Sequence, residues 1–225
     1  MNNDIISSKK VEVIKLILDD IYSKKIFTIG YSAFTINEFV NILQKNNINF
    51  VADVRSIPYS ATYPDYNKNL LETYLKHYNI SYQNFKNEFG ARQIDEEFFT
   101  DDYLDFTKFI NSEQFLTGVE EIKNLIYSGY KIVLMCAEGN PENCHRCIMI
   151  AKYFYDTGYE VKHFLPDGSI INQENVDYVL VNKFFSPQLS LFERNDSEEN
   201  MTNMAYRLQN KEIGFRLNRE EDIFH

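Results

Sequence analysis

The chain has 225 residues, 44% of them hydrophobic, enough to core one domain with appendages and without disulfide staples. A formal net charge of −10 excludes broad, nonspecific DNA binding and leaves a local basic cleft or recruitment by another protein as routes to nucleic acid. The three cysteines, Cys136, Cys144 and Cys147, fall in one short segment, which suits a reducing cytosol and a local site better than a disulfide framework.

Met1 to Lys10 is polar and lacks the apolar core of a secretory leader. No apolar run approaches membrane-spanning length, so a cytoplasmic protein without a membrane partner is expected. Val11 to Ser23 places Val13, Ile14, Ile17, Leu18 and Ile21 at helical spacing and predicts an amphipathic helix. Ile26 to Gly30 predicts the first strand, with Gly30, Tyr31 and Ser32 as its exit turn. Thr35 is a suitable cap for a helix running to about Asn46, with Phe39, Val40 and Leu43 facing inward. Asn49 to Val54 predicts the second strand, and this strand–helix–strand succession implies a parallel sheet.

Arg55 to Tyr66 is broken by Pro58 and Pro64 and should lie irregularly on the same sheet edge as the Cys136 loop. A helix over Leu70–Tyr78, a strand over Ile80–Gln83 and a loop over Asn84–Glu96 follow. Phe98–Ile110 and Phe115–Tyr127 read as helices, with Gly129 stopping the second. Ile132 to Met135 is a buried strand, after which Asn140 and Pro141 mark the start of a helix to about Thr157. Tyr159–Leu165 is a strand and Gln173–Asn182 a helix. Arg194–Asn203 is polar and expected to be flexible, and Ala205–Leu217 predicts a short final helix. The expected architecture is a mostly parallel open sheet of about five strands with helices on both faces, a Rossmann-like three-layer α/β fold. It is divided into a helical extension (1–24), an α/β domain (25–185) and a C-terminal tail (186–225).

The chemistry concentrates between Cys136 and Cys147. A strand end feeding a helix start favours anions and thiolates. Cys136 is therefore a candidate nucleophile, against the alternative of a small buried residue closing the strand. His145 is the nearby candidate base, and Glu138 a candidate general base or carboxylate nucleophile, against a loop carboxylate paired with Arg55 or Arg146. Asp53, Arg55 and Ser56 leave the second strand's end. Arg55 suits a phosphate or a salt bridge to Asp53 or Glu138, and Arg92 and Arg146 could join it as a positive floor. Tyr31, Ser32, Tyr59, Tyr63 and Tyr82 offer hydroxyls and stacking faces beside it. Cys136, Cys144, His145 and Cys147 also admit a metal reading, but without a second separated ligand pair, so no metal or cofactor is expected.

Thr28-Ile-Gly-Tyr-Ser32, Asp53-Val-Arg-Ser-Ile-Pro58 and Cys136-Ala-Glu-Gly-Asn-Pro-Glu-Asn-Cys-His-Arg146 together resemble the DUF488 family over roughly Phe27 to Leu165. A stretch expected from that resemblance as Leu-Gly-Gly is Phe89-Gly-Ala-Arg92 here. The resemblance identifies a site rather than a reaction. The chain is also loosely similar to rhodanese-like domains, but nine residues separate Cys136 from Arg146, too many for the same anion cradle.

In the tail, Gln188-Leu-Ser-Leu-Phe192 is similar to the peptide by which bacterial polymerases and repair proteins dock on the DNA sliding clamp. Leu189, Leu191 and Phe192 would enter an apolar pocket while Gln188 anchors the backbone; the alternative is a hydrophobic anchor folded back on the domain. The functional expectation is an enzyme acting on a nucleotide or nucleic acid at a Cys/Glu/His/Arg cleft, recruited to DNA by the clamp motif. Its rivals are a non-catalytic clamp-associated adaptor or ligand-binding module, and a metal-stabilised domain.

Overall fold

The computed structural model describes residues 24–185 and 198–217, so the helix expected over 11–23 and the Gln188–Phe192 peptide lie outside the described residues. The strands are β1 (Lys25–Gly30), β2 (Phe50–Asp53), β3 (Ser81–Asn84), β4 (Phe99–Thr100), β5 (Tyr103–Leu104), β6 (Ile132–Cys136), β7 (Glu160–Phe164) and β8 (Ile170–Asn172). Six of them form one sheet in the order β3-β2-β6-β1-β7-β8, parallel except for the edge pair of β7 and β8. β4 and β5 form a separate hairpin. The helices are α1 (Ile36–Lys45), α2 (Lys68–Lys76), α3 (Lys86–Phe89), α4 (Phe106–Phe109), α5 (Glu113–Tyr127), α6 (Lys152–Asp156), α7 (Gln173–Phe184) and α8 (Glu198–Ile213). Among the described residues no helix is long and apolar enough to cross a membrane.

The sheet carries a core on each face, because alternate side chains of its buried strands point to opposite sides. Val51, Val133 and Met135 pack with Phe39 and Leu43 of α1 and Leu71 and Leu75 of α2. Ala52, Ile132 and Leu134 pack on the other face with Phe115 and Ile122 of α5 and Phe154 of α6. Each such fully buried aliphatic side chain contributes about 1.5–3 kcal/mol. The three-layer α/β fold follows from these two cores. α1 itself is closed by a capping box, in which Thr35 and Glu38 each satisfy the other's backbone N–H.

β1 and β6 lie side by side, yet the chain leaves β1 toward one face and β6 toward the other. Such a reversal opens a crevice at the carboxyl ends of the strands, which is where open α/β sheets bind ligands. The Gly30–Ala33 turn and the loop after Cys136 meet there.

Several elements differ from the sequence reading. Phe98–Ile110 is not one helix but the β4–β5 hairpin followed by the single turn of α4. Asp101 takes a left-handed φ of 54°, and Asp105 caps α4 through Thr107 N and accepts from Thr100 Oγ1. Aspartates favour such turns and caps over a helix interior. Residues 84–96, expected as loop, include the turn of α3. α8 begins at Glu198, inside the run expected to be flexible, and Ala205 and Tyr206 pack into the core.

His163, on β7, makes the interior sensitive to acid. Its ring is fully buried, with Nδ1 2.8 Å from Thr28 Oγ1 and Nε2 2.9 Å from Gln173 Oε1; Cys147 Sγ lies 3.9 Å away. Burial and the nearby Arg146 charge push its pKa down to about 3. The unfolded imidazole titrates near 6.5, so below that pH protons bind the unfolded chain first. The stabilisation is complete above about pH 6.5 and falls by about 1.4 kcal/mol per unit as pH drops toward the folded value. Urea titrations of the protein and of His163→Gln should therefore diverge in slope by about one proton between about pH 4 and 6. Parallel profiles would contradict this account of His163.

Candidate functional site

The site is assembled where β6 ends. Cys136 pairs with Gly30 across the sheet, and Ser32 N donates to Ala137 O at 3.1 Å, so the two exits run together. Gly30 permits this approach: a Cβ there would stand 1.8 Å from the Glu138 carbonyl oxygen.

The helix predicted from Asn140 does not start there. Pro141–Asn143 make one tight turn, and Asn140 forms no side-chain cap. Cys144 is extended (φ −134°, ψ 137°), and the helix proper begins at Arg146 with a wide π-turn to Ala151 before α6. Glu138 binds the Cys144 thiol, and the Glu138 and Gly139 carbonyls bind Arg146, which together hold the chain open at Cys144. π-turns of this kind recur at functional sites.

Because Cys144 is extended, its side chain and that of His145 reach the same point. His145 Nδ1 lies 3.8 Å from Cys136 Sγ and 3.9 Å from Cys144 Sγ. His145 Nε2 donates to Val54 O at 3.0 Å, which leaves Nδ1 facing both sulfurs. The Cys144 thiol donates to Glu138 Oε2 at 2.9 Å. One ligating atom from each of Cys136, Glu138, Cys144 and His145 lies within 4.8 Å of the other three. Both thiols are buried, whereas Glu138 is exposed and folds its carboxyl back over Cys144.

Arg146 sits beneath this cluster, fully buried. It donates through Nη1 to Glu138 O, through Nη2 to Gly139 O (3.0 Å) and through Nε to Thr28 Oγ1 (3.4 Å). Among the described residues no carboxylate forms an ion pair with it. Burial opposes ionisation of Cys144, but hydrogen bonding with Cys136 and the charges of Arg146 and His145 outweigh it and hold that thiol well below the usual thiol range. Burial, then Cys144 and Glu138, push the Cys136 thiol well up. Burial and the neighbouring Cys144 raise the Glu138 carboxyl. The cluster thus favours one negative charge and one proton shared between Cys144 and Glu138, above Arg146.

The other predicted residues are placed around it. Arg55 forms a two-pronged pair with Asp53 (Nε–Oδ1 2.8 Å, Nη2–Oδ2 2.6 Å) and donates to Tyr66 O at 2.8 Å. Tyr82 OH also donates to Asp53, and Arg55 lies over the Tyr31 ring, 4.9 Å from its centroid. Ser56 Oγ accepts from Arg92 N at 2.9 Å, while the Arg92 guanidinium sits over Phe215. The expected positive floor is not formed as one surface: Arg55 is neutralised by Asp53, Arg146 is under the loop, and Arg92 faces an aromatic ring. Ser32 and Tyr63 line an open groove of about 550 Å³ together with Thr35, Glu38 and Tyr66.

Cys147 is not part of the cluster. Its thiol faces His163 and accepts from Gln173 Nε2, because the helix carries it to the core side. Sequence reasoning grouped Cys144 only with that metal reading and missed the Val54 carbonyl and Gly30. A second thiol beside a histidine was the one available signal for Cys144. The backbone carbonyl has no side-chain signature.

No curated protein and no solved structure matches the chain. The model of one family, described as "Domain of unknown function DUF488", matches residues 35–153, which takes in the Asp53–Pro58 and Cys136–Arg146 blocks and stops short of Thr28–Ser32. That match spans more than half of the sequence, and the chain belongs to the DUF488 family.

Proposed function

We propose that the chain is an enzyme acting on a nucleotide or nucleic acid, with Cys136, Glu138, Cys144 and His145 as its reacting centre. One observation carries the reading: four groups able to move protons, attack carbon or bind a metal meet within 4.8 Å at the rim where such sheets hold ligands. Glu138 is the most exposed residue of the four and the one on the loop at the rim. Its role is proton transfer to or from the reacting group. Tyr63, on the adjoining groove, offers an aromatic edge to a base. The Gln188–Phe192 peptide supports recruitment to DNA through the sliding clamp.

Turnover by the purified full chain on a panel of nucleotides and single- and double-stranded nucleic acids tests this reading. Glu138→Gln should reduce any activity found by about 10²-fold while leaving the thermal midpoint nearly unchanged. Equal activity in Glu138→Gln would end the assignment of Glu138.

A second reading, a ligand-binding or adaptor module without turnover, is favoured by one feature. Arg55 and Arg146, the cations expected to grip substrate, direct their hydrogen bonds within the protein. Clamp capture that is lost on deleting residues 188–192, with no turnover on the panel, would select it.

A further inference from the structure

We infer that Cys136, Cys144 and His145 ligate a divalent ion of the zinc class, with Glu138 at the solvent-facing fourth position; this names the cofactor of the centre proposed above and rests on that reading. Two thiols, an imidazole and a carboxylate are the donor set of tetrahedral zinc rather than of magnesium or calcium. Zn–S bonds of about 2.3 Å and Zn–N bonds of about 2.0–2.1 Å at tetrahedral angles put sulfur about 3.6 Å from nitrogen. His145 Nδ1 stands 3.8 and 3.9 Å from the two sulfurs.

The surroundings are those of a ligand site. Metal-bound histidines usually donate their other nitrogen to a carbonyl or carboxylate, and His145 Nε2 does so to Val54 O. That carbonyl is held in place because Val54 N donates to Met135 O of β6 at 3.0 Å. The charges also balance. A dication with two thiolates and one carboxylate carries one net negative charge, and the buried Arg146 beneath it supplies one positive charge. Loading releases the Cys136 thiol proton and the proton between Cys144 and Glu138 to solvent, with no change of oxidation state.

Elemental analysis of the full chain, purified without chelator, should find about one zinc per chain. Replacement by cobalt(II) should produce an intense thiolate-to-cobalt charge-transfer band. Cys144→Ser should lose the metal with its circular dichroism retained, and Cys147→Ser should keep it. Should Cys144→Ser fail to fold, the cobalt band of the unaltered protein decides. Absence of the band with cobalt in excess would overturn the inference, as would a Cys136–Cys144 disulfide in protein prepared under reducing conditions. Metal-free protein that turns over substrate would end the metal assignment alone. Metal-loaded protein without turnover on the panel would leave the metal and end the enzyme reading.

Discussion

Arg146→Met should destabilise the protein by about 3–5 kcal/mol and empty the site of metal. The side chain is fully buried, and its removal strands the Glu138 and Gly139 carbonyls, while Thr28 Oγ1 keeps its bond to His163. Each buried acceptor left unpaired costs about 1–3 kcal/mol, and loss of a buried charge from its network falls in the same range as the sum. The functional loss is indirect: Arg146 holds the loop that carries Glu138 and keeps Cys144 extended. Arg146→Lys keeps the charge but has a single ammonium in place of the planar fork, so it should recover only part of the stability. Chemical denaturation of the three proteins, with metal content measured alongside, is the test. A change below about 1 kcal/mol in Arg146→Met would mean that Arg146 does not organise the loop.

Gly30→Ala should cost about 3 kcal/mol and abolish the site while leaving the sheet intact. The new methyl would lie 1.8 Å from Glu138 O and 2.8 Å from Gly139 Cα, both backbone atoms. Neither can move cheaply: Gly30 is paired with Cys136, and both loop carbonyls are held by Arg146. Overpacking of this kind costs about 1–3 kcal/mol where side chains can adjust, and the upper end applies where backbone must move. Gly139→Ala is the control. Its methyl would meet side-chain atoms alone, Pro166 Cγ at 3.3 Å, Ala33 Cβ at 3.7 Å and Ser32 Oγ at 3.9 Å, and it should be far milder in its effect on stability. Thermal unfolding of both variants, read with cobalt uptake, separates the outcomes; equal behaviour of the two would contradict the close-approach argument.

The frame of the molecule was legible in the chain because its signals are local. Ile132–Met135 is an unbroken apolar run, and Thr35 is a cap placed just before a helical apolar stripe. The extended Cys144 was not legible, since Asn140 and Pro141 satisfy every local rule for a helix start. Contacts to Glu138 and Arg146 override those rules. α8 was read only in part, as a helix from Ala205, and its start at Glu198 was missed for a different reason. Its buried face carries Tyr206, Gln209 and Asn210, whose hydrogen bonds go to Asp177, Glu142 O and Leu104 O. A helix that docks largely through satisfied polar groups shows a weak hydrophobic period, and its bounds are then hard to read. The Gln209 bond also ties α8 to the tight turn at Pro141–Asn143, so an element read as tail supports the site loop.

The central claim is that Cys136, Glu138, Cys144 and His145 converge on one point and act there together. A crystal structure of the purified protein, with anomalous data collected on both sides of the zinc absorption edge, measures this directly. The account predicts one anomalous peak about 2.3 Å from both Cys136 and Cys144 Sγ and about 2.0–2.1 Å from His145 Nδ1, with the Glu138 carboxylate on its solvent side. Sulfur and imidazole atoms pointing to separate sides of the β6 loop, too far apart to share an ion, would contradict it.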